Sequence, residues 1–230
     1  MIDLDALEKR IGYSFENKEL LREAMTHSSK GDIRESGIRF DNERLEFIGD
    51  AMLDAVVGVM LYLSLPNGSE GELTKLRAQI VCEESLNRIG NELGFGKFLI
   101  IGDSEERSLG RHKPSVIADS VEAVIGGMFM DGGYGAVRRF VERSFGELIE
   151  EALAGKLFRD YKTKLQELAH KNNWKVAYIA EDEGPDHDKT FFVHLRVNGA
   201  EKGYGIGKNK KEAEQKAAES FFEKGIENVL

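Results

Sequence analysis

At 230 residues, 41% apolar and 32% charged, the chain has the composition of a soluble globular protein long enough for one large domain or two ordinary ones. Its single cysteine, Cys82, excludes an internal disulfide framework and suits a reducing compartment, and the opening MIDLDALEKR lacks the basic region and apolar stretch of a secretion signal. The net charge of −9 is uneven: residues 1–155 carry 18 basic against 28 acidic side chains, or −10, whereas residues 156–230 carry 14 against 13, or +1. Two regions with different partners are therefore expected, and the anionic one needs cations before it can approach a polyanion.

Residues 1–152 read as successive helices, because apolar residues recur every three or four positions: Leu4, Leu7 and Ile11, then Leu20, Leu21 and Ala24, then the long run after Leu45. No alternating strand pattern interrupts them. The most apolar span, Leu53 to Leu65, is too short to cross a bilayer, so a cytoplasmic protein without membrane contact is expected. Pro66-Asn67-Gly68 predicts a turn, and Ser69-Glu70-Gly71-Glu72 has capping-box spacing ahead of LTKLRAQIV. A helix from about Glu83 to Leu93 should close at Gly94 and Gly96. Gly102 to Pro114 reads as a loop. A second acidic helix from about Ser115 to Met130 should stop at Gly132-Gly133, ahead of a last helix from about Ala136 to Leu153.

Ala154-Gly155, with the basic residues after it, marks a junction where the period changes. Tyr161 to Asn172 is helical in pattern, VAYIAED and TFFVHLRV are rich in β-branched and aromatic residues, Asn198-Gly199 is a strong hairpin turn, and KKEAEQKAAESFFEKGI is helical again. The expected fold class is α+β multidomain: an all-α domain over 1–154, a linker over 155–159, and a small α-β-β-β-α domain over 160–228.

Five acids sit in the apolar helical segments, Glu43, Glu46 and Asp50 in NERLEFIGDAMLDAVVGVML and Asp119 and Glu122 in SVIADSVEAVIGGMFM. Their i,i+3 and i,i+4 spacings put neighbours on one face with Cβ atoms about 5–6 Å apart. Two like charges at ~6 Å repel by roughly 3 kcal/mol at an effective dielectric near ~20. A solvated helix face is the ordinary reading of any one such pair, and it predicts Lys or Arg three or four residues away. The only cations between Glu46 and Ile80 are Lys75 and Arg77, and none flanks Asp119 or Glu122 within four residues. If the two helices pack face to face, the all-oxygen set suits Mg²⁺ or Mn²⁺. Zinc does not fit, because none of His27, His112, His170, His187 and His194 pairs with Cys82 or another His at ligand spacing. Hard cations on carboxylates activate water and stabilise a leaving oxygen at phosphorus, so hydrolysis of a phosphodiester or phosphate is the expected chemistry.

NERLEFIGDAMLD at 42–54 resembles the signature of the ribonuclease III family, and ADSVEAVIGGMFMDGG at 118–133 resembles that family's second acidic motif. The likeness extends to Thr26-His27-Ser28-Ser29 and to SEGELTKLRAQIVCEESL at 69–86, covering nearly all of the first 150 residues. The resemblance implies an endonuclease that cuts double-stranded RNA with Mg²⁺, leaving 5′-phosphate and 3′-hydroxyl ends in the processing of rRNA, mRNA and other structured RNA. Carried over by position, Glu46, Asp50, Asp119 and Glu122 match the family's metal-site acids, with Glu46 and Glu122 binding the ions directly, Asp50 and Asp119 completing the site, Glu46, Asp119 and Glu122 as the metal set, and Asp50 and Glu122 as the catalytic pair. Glu43 matches an acid near the subunit interface and scissile region, with a helix-N-terminal acid favoured by the dipole as its other reading. Glu70 matches an acid contributed near the partner subunit's site, and also sits in a first helical turn where acids are common. The family acts as a homodimer, whose interface the apolar run from Phe47 to Leu63 would supply; a buried core helix is an equal reading of that run. No organic cofactor is implied.

Lys208, Lys210 and Lys211 crowd the start of the last helix, where the dipole disfavours cations, an inversion that makes sense if a phosphate occupies that end. YKTKLQE at 161–167, EGPDH at 183–187 and GIGKNKKEAEQKAA at 205–218 resemble the double-stranded-RNA-binding domain. Such domains read A-form shape through 2′-hydroxyls and phosphates. On that mapping Thr163, Gln166 and Glu167 meet one minor groove, His187 enters the other, and the three lysines straddle phosphates. A plain surface role remains the alternative for Gln166 and His187. Phe191, Val193, Ala213, Ala217 and Ala218 read as core. The rival to a nuclease is a non-catalytic duplex-RNA-binding protein on a nuclease-like scaffold, which loss of a metal acid would mark; all four are present. A metal phosphohydrolase acting on small molecules is disfavoured by the C-terminal module and the lack of a Gly-rich phosphate loop.

Overall fold

The computed structural model describes residues 2–33, 37, 39–155, 157, 161–185 and 189–223. The chain divides into two compact units, Met1–Phe158 and Arg159–Leu230.

The first unit is built of helices whose ends follow from local chemistry. In α1 (Leu4–Ile11) the Asp3 side chain caps the first turn by accepting from the Ala6 N–H at 3.0 Å. In α2 (Lys18–Ala24) Asn17 does the same for Glu19. Asp131 fastens the corner between them, accepting from Tyr13 Oη–H at 2.7 Å, Asn17 N–H at 2.9 Å and Glu16 N–H at 3.0 Å. Next come α3 (Glu43–Ser64), α4 (Glu70–Ile80) and α5 (Glu83–Leu93). Ser69 Oγ accepts from the Glu72 N–H at 3.2 Å, as the capping-box spacing predicts, and α5 closes at Gly94 in the left-handed region.

Four features differ from the sequence reading. Two short antiparallel strands, β1 (Asp32–Ile33) and β2 (Arg39–Phe40), interrupt the helices, and Thr26 forms a parallel bridge with Ile100. Two-residue strands are too short to show alternation. The segment Gly102–Pro114 is not a plain loop: it holds the five-residue helix α6 (Asp103–Arg107) and a 3₁₀ turn at Gly110–His112. Within α7 (Pro114–Ser144) Gly133 takes φ 67° and ψ −169°, which ends the second acidic helix at Gly132-Gly133 as read, but the helix after it stops at Ser144, and α8 (Gly146–Leu153) follows after Phe145 in place of one helix from Ala136 to Leu153. The helix α3 is also longer than the span Leu53–Leu65, and by length and composition it is apolar enough to cross a bilayer. Instead it buries Leu45, Gly49, Leu53, Val56, Val57 and Leu61 in this unit.

The core lies along α3 and α7. Between Val116 and Met128 almost every side of α7 is buried, as expected of a helix apolar all round at the centre of a domain. Gly49 lies against the main chain at Glu122, and Gly126 against that of Leu45, so the two helices run antiparallel in close contact.

The second unit has the order α9 (Tyr161–Asn172), β3 (Val176–Glu183), β4 (Thr190–Val197), β5 (Ala200–Gly207) and α10 (Lys210–Glu223). Its antiparallel sheet has the order β3-β4-β5, with Val193 opposite both Ala180 and Gly205. Asn198 and Gly199, at φ 52° and 85°, make the β4–β5 turn, with the two positive φ values that a two-residue hairpin favours. Val193, Leu195 and Val197 of β4 pack with Leu165, Ala213, Ala217, Ala218 and Phe221, and Phe191 joins them half-buried. Lys162 Nζ binds Glu214 at 2.6 Å, tying α9 to α10.

Candidate active site

The crossing of α3 and α7 builds the site. A Cβ on Gly49 would collide with the Glu122 carbonyl oxygen, and one on Gly126 with the Leu45 carbonyl oxygen. The absence of both lets the helices meet backbone to backbone at the turns that carry the acids. Glu46 comes from the first turn of α3, and Asp119 and Glu122 from successive turns of α7. One carboxylate oxygen from each lies within 4.8 Å of the others, and all three side chains are half-buried.

This proximity disfavours full ionisation. Burial first, then the charges of Asp119, Glu43 and Asp50, pushes the Glu46 carboxyl up to about 7. Burial, then Asp50, Glu46, Asp119 and Asp54, pushes Glu122 up to about 8. Burial also raises Asp119, with Glu83 adding to the effect and His27 opposing it. Among the described residues, no basic side chain figures in what acts on Glu46 or Glu122. Three converging carboxylates, two of them with no basic side chain acting on them among the described residues, form an oxygen donor set that fits a hard divalent ion, whose charge would supply the counter-charge.

The other candidates lie around this trio. Asp50 is exposed and outside the tight group, but close enough to act on both Glu46 and Glu122. Glu43 is exposed in the first turn of α3 and acts on Glu46. Glu70 starts α4, accepts from Thr74 Oγ1–H at 3.2 Å, and is not among the acids acting on the trio. The sequence reading gave no role to Asp54, Glu83 or His27. Asp54 could have been found, since it falls four residues after Asp50 on the same helical face. It pairs with Arg77 at 3.7 Å. Nothing in the local spacing brings Glu83 or His27 to Asp119.

In the second unit Thr163, Gln166 and Glu167 are exposed on α9, and Lys208, Lys210 and Lys211 are exposed at the start of α10. His187 lies outside the described residues. The α10 start is better balanced than the lysines alone suggest. Asn209 Oδ1 accepts from Glu212 N–H at 2.9 Å, and Glu212 accepts from Lys208 N–H at 2.8 Å and pairs with Lys216 at 2.7 Å. These contacts hold the Glu212 carboxyl below its ordinary range.

Comparison with known proteins agrees with this layout. Residues 17–148 match the family described as ribonuclease-III-like, and residues 161–224 match the double-stranded RNA binding motif. The chain is 44% identical to Ribonuclease 3 of Caldanaerobacter subterraneus subsp. tengcongensis over 97% of its own length and 99% of that protein's. It is 40% identical to Ribonuclease 3 of Wolinella succinogenes, covering 97% of this chain and 92% of that one. Among solved structures, the nuclease domain of ribonuclease III from Campylobacter jejuni superposes with a TM-score of 0.58 at 38% identity, covering 64% of this chain and 97% of that one. A helical unit carrying the acid cluster, followed by a duplex-RNA-binding module and matched along nearly its whole length by these relatives, places the chain in the ribonuclease III family.

Proposed function

We propose that the protein is an endoribonuclease of double-stranded RNA whose metal site is Glu46, Asp119 and Glu122, with Mg²⁺ as the ion and Mn²⁺ as a substitute. The observation that carries this reading is the convergence of three half-buried carboxylates within 4.8 Å, with no basic side chain acting on Glu46 or Glu122 among the described residues. When bound, the ion supplies an activated water and stabilises the leaving oxygen at phosphorus, giving 5′-phosphate and 3′-hydroxyl ends. Glu122 and the exposed Asp50 are the catalytic acids: Glu122 holds one side of the donor set, and Asp50 borders it on the solvent side, where a phosphodiester can approach. Glu43 and Glu70 are accessory acids, Glu43 through its action on Glu46 and Glu70 toward a partner's site.

The catalytic domain spans 1–154, the linker 155–159 and the duplex-RNA-binding domain 160–228. In the last, Thr163, Gln166, Glu167 and His187 meet minor grooves, and Lys208, Lys210 and Lys211 meet phosphates. The working form is a homodimer. On α3 Phe47 is 75% exposed, and Val59, Tyr62 and Leu63 are exposed with it, an apolar surface that a second copy would cover. A Campylobacter jejuni nuclease domain in this family, 38% identical to this chain, is described as having a region involved in dimer formation. The protein acts in the cytoplasm on rRNA, mRNA and other structured transcripts, without an organic cofactor.

The test is cleavage of a long RNA duplex and of its separated strands, with Mg²⁺ or with chelator. The reading expects cutting of the duplex alone, only with metal, and 5′-phosphates on the products. Cutting of single strands, or of duplex in chelator, would overturn it.

A further inference from the structure

Asp41 is 2% exposed, the most buried acid among the described residues, and lies two residues before α3. A carboxylate so placed needs partners for its oxygens. Oδ1 accepts from the Glu43 N–H at 3.3 Å, one of the first N–H groups of α3 that the helix itself leaves unbonded. Oδ2 lies 2.5 Å from Arg39 Nε, out of line for a hydrogen bond, so that contact is an ion pair. Arg39, in β2, donates in turn from Nη2 to Ser28 O at 3.0 Å. One buried side chain thus joins the start of α3 to β2 and, through Arg39, to the turn Ser28–Lys30.

The backbone beside Asp41 makes the same connection. The Asn42 N–H donates to Thr26 O at 2.8 Å, and the Glu46 N–H donates to Asn42 O at 2.8 Å, so the helical turn that carries Glu46 closes on residue 42. The segment that receives these bonds is fixed on its other side. The His27 N–H donates to Ile100 O at 2.9 Å, the Ile100 N–H to Met25 O at 2.8 Å, and the Gly102 N–H to Ser29 Oγ at 2.9 Å. Gly31 closes the enclosure: a Cβ there would lie 2.8 Å from Asp41 Oδ2 and 2.9 Å from Asp41 Cβ. Its φ of −59° is open to any residue, so space alone calls for glycine.

We infer that Asp41 is a positioning residue for the metal site: bonded to the Glu43 N–H and paired with Arg39, it fixes where α3 begins and so where Glu46 meets Asp119 and Glu122. Groups that hold metal ligands in place from behind tune ion affinity by about 10–100-fold. This role rests on the metal reading above. It differs from that of a plain helix cap, which would stabilise the start of α3 and leave the ion unaffected.

Substitutions at Asp41 and at a distant cap separate the two roles. Asp41→Asn keeps an acceptor for the Glu43 N–H, and Asp41→Ala removes it together with the partner of Arg39. Asp3→Ala removes the corresponding cap of α1 and serves as the control. The readout is Mn²⁺ binding to the full chain without RNA, followed by electron paramagnetic resonance, with melting temperature measured alongside. We expect Asp41→Asn to bind Mn²⁺ within about threefold of wild type and Asp41→Ala about tenfold or more weakly. Asp3→Ala should lower the melting temperature and bind Mn²⁺ as wild type does. Should Asp41→Ala not fold, Gly31→Ala displaces the same side chain by crowding it and is expected to weaken Mn²⁺ binding in the same direction. Wild-type affinity in the variant that folds, a loss no greater than in Asp3→Ala, or equal weakening in Asp41→Asn and Asp41→Ala would overturn the positioning role and leave the metal reading standing. A wild-type protein that binds no Mn²⁺ would overturn both.

Discussion

Gly49 of α3 rests directly on the main-chain carbonyl of Glu122 in α7, so the closest approach of the two helices falls at the residues that supply the acids. A methyl group there has backbone to displace, not a flexible side chain. Gly49→Ala is expected to cost about 1–3 kcal/mol by overpacking. For a domain of this size that lowers the melting temperature by roughly 3–10 °C. Duplex cleavage should fall further than stability, because Glu46 moves away from Glu122. Gly71, exposed in α4 with nothing near its Cβ position, is the control: Gly71→Ala should be neutral or stabilise by up to about 1 kcal/mol.

Glu46 and Glu122 keep their protons to about 7 and about 8 in the fold, against an ordinary 4.5. The folded chain then holds more protons than the unfolded one. This contribution to stability is fully present below 4.5 and is lost as pH rises through 7 and 8. Both groups are partly exposed, so solvent screening trims the effect. In chelator, the melting temperature should fall from about pH 5 to about pH 9 more steeply in wild type than in Glu46→Gln with Glu122→Gln. At pH near 8, Mg²⁺ at 100 times its Kd should restore about 2.7 kcal/mol, roughly 5–10 °C, in wild type alone. Equal pH slopes for the two proteins would count against the site.

Lys210 and Lys211 are exposed at the start of α10, where Glu212 already supplies the local acid. Lys210→Ala with Lys211→Ala should weaken duplex-RNA binding and reduce the salt slope of log K by about 1.8, near ~0.9 per phosphate contact. Titrations at several salt concentrations measure this; an unchanged slope speaks against phosphate contacts.

Phe47 and Tyr62 expose 75% and 69% of their surface on α3. Charge on that apolar face should oppose self-association without disturbing the buried side. Phe47→Asp with Tyr62→Asp is therefore expected to sediment as a single chain at micromolar concentration, with wild type at twice that mass. A wild-type protein that sediments as one chain would remove the homodimer.

Much of this was legible in the sequence because it depends on local chemistry. Ser69 with Glu72, Gly94 after α5, and Asn198-Gly199 between β4 and β5 each act through backbone geometry within a few residues. The proximity of Glu46 to Asp119 and Glu122 followed from asking what could offset their repulsion. What escaped depends on the partner element. In a helical pattern Gly49 and Gly126 look like propensity losses, and only the crossing reveals them as contacts. The short helix α6 has no period to detect, and the break at Phe145 before α8 falls inside a stretch that reads as one helix. Thr26 pairs with Ile100 in a bridge whose separation no local pattern encodes.

The most direct test of the central claim compares wild type with Glu122→Gln on one RNA duplex in Mg²⁺, measuring binding and cleavage in the same preparation. The substitution keeps the side chain's shape and removes one carboxylate charge from the donor set. The account expects wild type to bind and cut, and Glu122→Gln to bind with similar affinity and leave the duplex intact. Cleavage by Glu122→Gln at the wild-type rate, or none by wild type with metal present, would contradict it.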